Sequence, residues 1–419
     1  MRILWFTNIP LQPLLDHWKR NVTGTGFWMH ALIDPLRQHP EINRMGVVYA
    51  GTDCRDEYIE INGVDYYTVG KSHIVQRTGL GTRYCENRYL QTFVDIIDRF
   101  RPDVIHIHGT EYFYGRLRID NLTNVPTLVS IQGIMSECAK HAWGDRTRLE
   151  MLPLINAWEV MRLFPTFRIR SNFQNRAKRE KKMIRSVDGV IGRTTWDKAY
   201  TWSVSPSTKY FHVDEIMRDE FYNFEWNLDS CRKHRIYTSG RLTLAKGMHI
   251  FIEAIAILRH GFPDLDVHIA GGGTPSSEHR YLIKQIQRLD LAEVVHFTGW
   301  LNGSQIVNEL QDAHVYANSS FIENGCNALQ EAMLMSVPCV AGFAGGMSTT
   351  LEHRKTGLLY PRGNAFMLAH RIKELFENDD LAISLGKSAR KKAQERHAIP
   401  KVMHELMGAY RSVSQGGNG

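Results

Sequence analysis

Short apolar runs alternate with longer amphipathic stretches along the whole chain. In the first half the apolar runs predict the strands RILWFT, RMGVVYAG, DYYTVG, VIHIHG, TLVSIQG and GVIGRT. In the second half they predict the strands RIYTSG, DVHIAGGG, VVHFTGW, HVYANS, PCVAG and TGLLYP. Stretches between them, such as FWMHALIDPLRQH and NRYLQTFVDIIDRFR, predict helices. Because strands that alternate with helices form parallel sheets, the sequence predicts an α/β protein with two doubly wound domains.

The length of the chain fits this division. Its 419 residues suit two domains, each large enough to bury its own core. We predict one domain over residues 1–210 and a second over residues 211–400. Residues 401–419 are predicted to form a C-terminal helix and tail that return to the first domain.

Two carboxylates flank a predicted helix start in the segment SSFIENGCNALQEAMLMSVPCVAG. Glu323 lies in the loop after the strand HVYANS, and Glu331 lies within a helix that we predict from Ala328 to Met335. Eight residues span roughly 12 Å along a helix axis. The two acceptors can therefore bind hydroxyl groups on different parts of one extended ligand.

The loop between the two glutamates offers donors of a different kind. The backbone N–H groups of Gly325, Cys326 and Asn327 fall at the predicted first turn, where they have no partner within the helix. Such a turn is suited to an anionic group such as a diphosphate.

A second segment, RIYTSGRLTLAKGMHIF, supplies fixed positive charge. A predicted strand leads into Gly240 and Arg241, and Lys246 precedes the next predicted helix. A nucleoside diphosphate leaving group gains negative charge as its bond to the sugar breaks, and nearby cations stabilise that charge. Arg241 offers a planar fork of donors, and Lys246 offers a compact point charge.

Together these two segments resemble the donor-site signature of the family-4 retaining glycosyltransferases, and RLTLAKG resembles the family's GR-L-x-x-x-KG loop. The resemblance implies the GT-B fold, in which two Rossmann-like parallel-sheet domains face a cleft. It also implies transfer of a sugar from a nucleotide-diphosphate sugar to a hydroxyl of a glycan or lipid-linked saccharide, with retention at the anomeric carbon. Surface polysaccharide synthesis is the process we favour. Glu323 would then contact a donor-sugar hydroxyl and Glu331 the ribose hydroxyls.

The first half of the chain carries the acceptor side in this family. The turn with Gly24 and Gly26 resembles the family's glycine-rich loop, although it could equally be a tight packing turn. His108 ends a predicted strand, and we leave open whether it acts in the active site or is structural. Gln132 stands where similar enzymes have their active-site histidine. Since glutamine cannot accept a proton at neutral pH, we expect it to position a ligand.

Two further positions depart from the family pattern. The stretch FHVDEIMRDEFY near Asp214 replaces the usual Asn-Gly-Val-Asp turn. MSTT follows Gly346 where an acidic residue is common, so Ser348 or Thr349 would have to take over that contact.

Neither a metal nor a cofactor is expected. Arg241 and Lys246 can provide the charge that a divalent ion would otherwise supply. The six cysteines show no metal-ligand spacing, so we expect free thiols in a reducing compartment. The chain opens on a predicted strand without a signal peptide or membrane span, which favours the cytoplasm.

The net charge of +7 comes from the first half, where residues 1–200 hold 28 Lys and Arg against 21 Asp and Glu. The stretch from Arg162 to Arg185 has nine basic residues and one acid, interleaved with apolar ones. It is either a solvated helix face or a contact with the anionic inner face of the membrane. Nucleic acid is disfavoured, because no DNA-binding or RNA-binding motif accompanies the charge.

Other functions stay open at this point. A nucleotide-sugar epimerase would use the same fold, and a degenerate, non-catalytic binding protein would keep the fold without the reaction. A dinucleotide oxidoreductase is disfavoured, since the chain lacks a full Gly-x-Gly-x-x-Gly fingerprint and the acid that follows it.

Overall fold

The computed structural model describes residues 1–20, 26–71, 82–155, 157–161, 164–272 and 276–415. These residues form two compact units. The first unit comprises Met1–Met135, Asn175–Ile216 and Ala398–Gly419, and the second comprises Ser136–Gln174 and Met217–His397.

Each unit is built on its own sheet. The strands of the first sheet are β1 (Arg2–Thr7), β2 (Arg44–Gly51), β3 (Glu57–Ile61), β4 (Val64–Gly70), β5 (Val104–His108), β6 (Thr127–Ser130), β7 (Gly189–Gly192) and β8 (Lys209–His212). The strands of the second are β9 (Arg235–Ser239), β10 (Asp266–Ala270), β11 (Val295–Gly299), β12 (Val315–Asn318), β13 (Cys339–Gly342) and β14 (Leu358–Tyr360).

Helices lie between most of the strands. Those before residue 200 begin with α1 (Gln12–His17), α2 (Phe27–Arg37), α3 (Thr82–Phe100), α4 (Arg116–Ile119), α5 (Met135–Lys140), α6 (Ala157–Met161), α7 (Pro165–Ser186) and α8 (Thr195–Val204). The later ones are α9 (Glu220–Asn223), α10 (Met248–Arg259), α11 (Ser277–Arg288), α12 (Gly303–Asp312), α13 (Asn327–Leu334), α14 (Met347–Thr350), α15 (Ala365–Phe376), α16 (Asp379–Arg396) and α17 (Ile399–Ser414). Short 3-10 turns cover Phe113–Gly115, Leu152–Leu154 and Leu244–Lys246.

The predicted parallel sheets are confirmed. The first sheet has the order β3-β4-β2-β1-β5-β6-β7-β8, with only β3 antiparallel to its neighbour, and the second has the order β11-β10-β9-β12-β13-β14. In both sheets the strand order reverses beside the first strand of the parallel run: between β1 and β5 in the first, and between β9 and β12 in the second. Loops that leave such a point diverge and open a crevice at the carboxyl ends of the strands.

The division into units differs from the predicted one. The change of unit after Ile216 lies slightly later than residue 210, and Ser136–Gln174 groups with the second unit instead of the first. The reason is packing, because Trp143, Met151 and Leu154 share an apolar cluster with Leu244 of the second unit.

The C-terminal helix α17 groups with the first unit. Its Tyr410 hydroxyl accepts a hydrogen bond from Trp5 Nε1 at 3.0 Å and lies 2.9 Å from His106 Nδ1. Since Trp5 and His106 come from β1 and β5, the last helix of the chain covers the centre of the first sheet.

Candidate active site

The residues singled out in the second half come together at the point where the second sheet reverses its order. Strand β9 pairs with β12 through Ile236↔Val315 and Tyr237↔Tyr316. The loop that carries Arg241 and Lys246 leaves β9, and the loop that carries Glu323 leaves β12. Both loops therefore rise from the same edge of the sheet.

Backbone contacts lock these two loops together. Phe321 N donates to Ala245 O at 2.9 Å, and Ser319 Oγ donates to Lys246 O at 3.0 Å. Gly247 has a left-handed backbone with φ of 67°, and a Cβ atom on it would lie 1.9 Å from Ser319 O. Only glycine fits here, because both the backbone conformation and the close approach exclude a side chain.

Lys246 and Glu323 form an ion pair within this locked structure. Lys246 Nζ lies 2.5 Å from Glu323 Oε1, which also accepts from Ser320 Oγ at 2.7 Å. Burial tends to lower the pKa of Lys246, but the charge of Glu323 outweighs it, and the pKa is raised overall. The ammonium is thus charged and held in position, with a third of its side chain still exposed.

Arg241 lies at the same edge and is exposed. It follows Gly240, whose carbonyl oxygen would lie 2.0 Å from a Cβ atom on Gly271 at the end of β10. The backbones of these neighbouring loops approach so closely that Gly271 cannot carry a side chain. Arg241 is a second cation whose guanidinium can reach solvent beside Lys246.

Helix α13 begins at the same edge with Asn327. Its first turn receives no hydrogen bond from a capping side chain. Burial raises the pKa of the Cys326 thiol to about 12, so this group is neutral. The turn formed by Gly325, Cys326 and Asn327 therefore presents backbone N–H groups and the positive end of a helix dipole.

Glu331 lies further along α13 and is 3 % exposed. Its Oε1 accepts a hydrogen bond from Arg218 Nη2 at 2.7 Å. Burial raises the pKa of Glu331, and the charge of Arg218 partly offsets that effect. Arg218 was not singled out from the sequence, because no motif surrounds it within FHVDEIMRDEFY; only the fold brings it to Glu331.

The loop after β13 contacts the loop that carries Glu323. Gly346 N donates to the Glu323 backbone oxygen at 2.9 Å. Ser348 is exposed in α14, and Thr349 is partly buried with its carbonyl oxygen accepting from Lys392 Nζ at 3.1 Å. Ser348 is consequently the better placed of the two to reach a ligand.

His108 and Gln132 lie in the first unit, where they line a cavity of about 40 Å³. The His108 ring packs 4.4 Å from the Trp5 ring and 4.0 Å from the His106 ring, centroid to centroid. Burial lowers the pKa of His108 to about 3, so the imidazole is neutral at physiological pH. Its Nε2 has no hydrogen-bond partner among the described residues. Of the two roles left open, these facts favour a structural or hydrogen-bonding group over a proton carrier.

Gln132 is fixed by a basic side chain. Its Oε1 accepts from Arg193 Nη2 at 3.2 Å, and Arg193 forms a buried ion pair with Glu215. Holding the amide oxygen in this way orients the amide nitrogen of Gln132, and a role in positioning a ligand stays a prediction.

The predicted glycine-rich turn is described only in part. Gly24 lies outside the described residues. Gly26 has φ of 75° and precedes α2, and a Cβ atom on it would meet the Ile9 side chain. This geometry is that of a tight turn at a helix start.

The basic stretch predicted from the sequence forms most of α7, and Arg162 lies outside the described residues. Phe167, Ile169 and Phe173 pack, partly buried, against the cluster around Trp143. These three side chains pack within the second unit, whereas Met183 and Ile184 of the same helix are buried in the first unit. Contact of the helix with a membrane stays a prediction.

The described residues also bear on thiols, metal binding and membrane spans. Cys54, Cys231, Cys326 and Cys339 are free thiols. The described part of the chain holds no group of three or more His, Cys, Asp or Glu side chains that could bind a metal ion. None of its helices is both long and apolar enough to cross a membrane.

Most of the second unit is similar to known proteins. Residues 224–392 match the family model of the glycosyl transferases group 1. The chain is 32% identical over 179 residues to the putative colanic acid biosynthesis glycosyltransferase WcaL of Escherichia coli, covering 41% of this chain and 43% of that protein. It is 27% identical over 178 residues to a D-inositol 3-phosphate glycosyltransferase of Corynebacterium urealyticum, covering 42% of each. The match thus spans less than half the length of these relatives.

Similar solved structures extend the comparison to the whole fold. Sucrose-phosphate synthase from Thermosynechococcus elongatus superposes with a TM-score of 0.74 at 17% identity, covering 99% of both chains. HepE of Anabaena, in complex with UDP and glucose, gives a TM-score of 0.63 at 16% identity, covering 98% of this chain and 100% of that one. The sheets, their switch points and these matches lead to one conclusion: residues 224–392 belong to the glycosyl transferases group 1 family, and the chain has the GT-B fold.

Proposed function

We propose that the protein is a retaining glycosyltransferase that moves a sugar from a nucleotide-diphosphate sugar to a hydroxyl of a glycan or lipid-linked saccharide. The observation that carries the proposal is the Lys246–Glu323 ion pair, held beside the uncapped first turn of α13. A cation and the backbone amides of a helix start at one sheet edge suit a diphosphate.

The reaction follows from where charge develops. As the bond between the anomeric carbon and the diphosphate breaks, Lys246, Arg241 and the backbone N–H groups at the start of α13 stabilise the negative charge on the leaving group. The acceptor hydroxyl attacks from the face that the diphosphate leaves and passes its proton to an oxygen of the departing diphosphate, so the anomeric configuration is retained. These fixed positive groups perform the work that a divalent ion would otherwise do, and the reaction needs no metal.

The two glutamates orient the donor. Glu323 is the group we assign to a donor-sugar hydroxyl, because its carboxylate is held at the loop surface by Lys246 and Ser320. Glu331 is assigned to the ribose hydroxyls, with Arg218 neutralising its charge when no donor is bound. In this arrangement Glu323 binds the sugar on one side of the diphosphate, and Glu331 binds the ribose on the other.

The relatives suggest which substrates to try. HepE is described with UDP and glucose, and WcaL by a role in colanic acid biosynthesis. We propose a uridine nucleotide as the first donor to test, and surface polysaccharide assembly as the process in which the product is used.

Slow donor hydrolysis in the absence of acceptor tests this proposal. Purified protein is incubated with UDP-glucose, UDP-galactose, UDP-N-acetylglucosamine and the matching GDP and ADP sugars, and early NMR spectra follow the released sugar. Release of the α-anomer from an α-linked donor supports a retaining transferase. Initial release of the β-anomer overturns retention, and no release from any donor supports a non-catalytic binding protein.

A further inference from the structure

Exposed apolar side chains are concentrated in one short part of the second unit. Of the 16 large hydrophobic side chains that are exposed in the described residues, six lie between Leu149 and Phe164. We call these six the apolar edge: Leu149, Leu152, Ile155, Val160, Met161 and Phe164. Leu149 and Met161 are 77% and 75% exposed, which is far above the exposure of an ordinary surface leucine or methionine packed on its neighbours. Clustering of this kind marks an interaction surface.

The apolar edge is presented by an ordered framework. Beneath it, Met151 and Leu154 are buried in the cluster with Trp143, whose Nε1 donates to Thr166 O at 2.9 Å. The fully buried Glu159 accepts from Thr166 Oγ1 at 2.5 Å. These buried contacts hold the described residues that lie beneath the apolar edge.

A row of cations borders the apolar edge. Arg280, Lys284 and Arg288 are exposed and recur every four residues along one face of α11. They line a cavity of about 440 Å³ whose apolar wall is formed by Leu154 and Ile155. Ile155 thus belongs to both the cavity and the apolar edge, and the two features form one continuous surface.

Most of the acids near this surface have partners within the protein. Glu253 accepts a hydrogen bond from Nε2 of the cavity-lining residue Gln285 at 3.2 Å. Glu159 is buried, and Glu278 is buried with its Oε1 accepting from Leu244 N at 2.9 Å. Glu150 is exposed at the apolar edge, where it accepts hydrogen bonds from Thr147 at 2.7 Å. The surface therefore combines aliphatic side chains with three exposed cationic side chains.

We propose that this surface, the apolar edge together with Arg280, Lys284 and Arg288, docks on an anionic lipid bilayer. Aliphatic side chains enter the boundary between headgroups and acyl chains, and the flanking cations bind lipid phosphates. The cavity is large enough for part of a phospholipid headgroup. A bilayer satisfies both halves of the surface at once. The proposal goes beyond the transferase function, since a sugar can be transferred in solution.

Vesicle co-sedimentation tests the docking surface. Full-length protein is mixed with phosphatidylcholine vesicles that contain or lack phosphatidylglycerol, at low and at high salt. One variant, Leu149→Ser with Met161→Ser, changes the apolar edge. A second variant, Arg280→Gln with Lys284→Gln and Arg288→Gln, removes the cations. Matched controls remove exposed groups elsewhere in the second unit: Ile257→Ser with Phe366→Ser, and Arg232→Gln with Lys355→Gln and Lys391→Gln.

We expect the wild type to bind vesicles with phosphatidylglycerol and to be released by high salt. The triple cation variant should lose roughly 100-fold in partitioning and the apolar variant at least ~10-fold, while both controls stay close to the wild type. The melting temperature of each variant serves as a check of folding that depends on neither lipid nor nucleotide.

Several results overturn the proposal. One is a wild type that does not sediment with anionic vesicles, which needs no variant to interpret. Another is an equal loss of vesicle binding in the patch variants and their controls. A third is a wild-type dimer that Leu149→Ser with Met161→Ser converts to a monomer, because the apolar edge would then be a contact between copies of this chain. Since none of these results depends on turnover, they leave the transferase proposal standing.

Discussion

Lys246 is held in place before any ligand arrives. Its ammonium contacts Glu323 at 2.5 Å, its carbonyl accepts from Ser319, and Gly247 follows in a conformation that only glycine adopts easily. A cation fixed in this way loses little freedom on binding a phosphate. It also needs no reorganisation as negative charge develops during the reaction.

Replacing Glu323 by Gln separates binding from turnover. The change removes the carboxylate that pairs with Lys246 but leaves a hydrogen-bonding group for Ser320. We expect affinity for free nucleoside diphosphate to stay within about threefold or to rise, because Lys246 becomes available to phosphate. Turnover should fall roughly 100-fold, the size of effect seen when one stabilising group is lost. Calorimetry measures the affinity and steady-state rates measure the turnover of one preparation. An equal loss of affinity and turnover would contradict the assignment of Glu323 to the donor sugar.

Arg218 and Glu331 should matter first for stability. Arg218→Ala leaves a carboxylate that is 3% exposed without its cation, a change that typically costs about 3–5 kcal/mol. Glu331→Gln removes the charge that needs compensation, so it should cost less. Melting temperatures of both variants at pH 7 check this order. If Arg218→Ala has the same melting temperature as the wild type, the ion pair contributes nothing to the stability of the protein.

At the scale of elements, strand ends determine the site. Strands β9 and β12 are neighbours across the point where strand order reverses, so the loops of Lys246 and Glu323 leave the sheet side by side. The twelve predicted strands are all present, because their continuous apolar runs are typical of buried parallel strands. The two that were missed are the edge strands β3 and β8. They are short and largely exposed, and they carry Glu57 or Lys209 in place of an apolar run.

Gly247 tests the contact between the two loops. In Gly247→Ala the new Cβ atom would meet Ser319 O, and the residue would keep a left-handed φ of 67°. We expect a loss of more than ~2 kcal/mol in stability together with weaker nucleotide binding. Gly261→Ala is the matched control, since its Cβ atom would lie no closer than 3.9 Å to any atom outside its immediate neighbours. Equal behaviour of the two variants would argue against this close approach.

The buried carboxyl group of Glu278, in helix α11, should make the stability of the second unit depend on pH. Burial raises the pKa of Glu278 from 4.5 to about 7, although its carboxyl accepts from Leu244 N. The folded state then binds this proton more tightly than the unfolded state. The stabilisation that comes from protonated Glu278 is complete below pH 4.5 and is lost as the pH rises through about 7.

Glu278→Gln should therefore stabilise the protein at pH 8, where the buried carboxylate is charged, and have little effect at pH 4.5. A shift of this size corresponds to about 3 kcal/mol at most. Melting temperatures of wild type and variant across this range measure the effect. A difference that does not change with pH would show that Glu278 titrates normally.

At the scale of the whole molecule, two doubly wound sheets carry different side chains at their switch points. The second unit concentrates positive charge at its switch point, whereas the corresponding edge of the first unit holds the neutral His108 and a Gln132 amide fixed by Arg193. A cationic edge suits a nucleotide diphosphate, and an edge of neutral hydrogen-bonding groups suits a sugar acceptor.

Much of this could be predicted from the sequence, for physical reasons. The donor-side residues lie within two short segments, so local spacing was enough to place Lys246 and Glu323 in loops after strands. Arg218 lies 113 positions from Glu331 and was missed, because only tertiary packing brings them together. The same applies to Ser136–Gln174, whose place in the second unit depends on the cluster formed by Trp143 and Leu244.

The most direct test of the donor site is calorimetric titration with UDP, GDP and ADP on the wild type, Lys246→Ala and the exposed-lysine control Lys355→Ala. The predicted result is clear binding of one diphosphate by the wild type and the control, with at least ~10-fold weaker binding by Lys246→Ala. Equal affinity in all three proteins, or no binding of any diphosphate, would contradict the assignment of the β9–β12 edge as the nucleotide-sugar site.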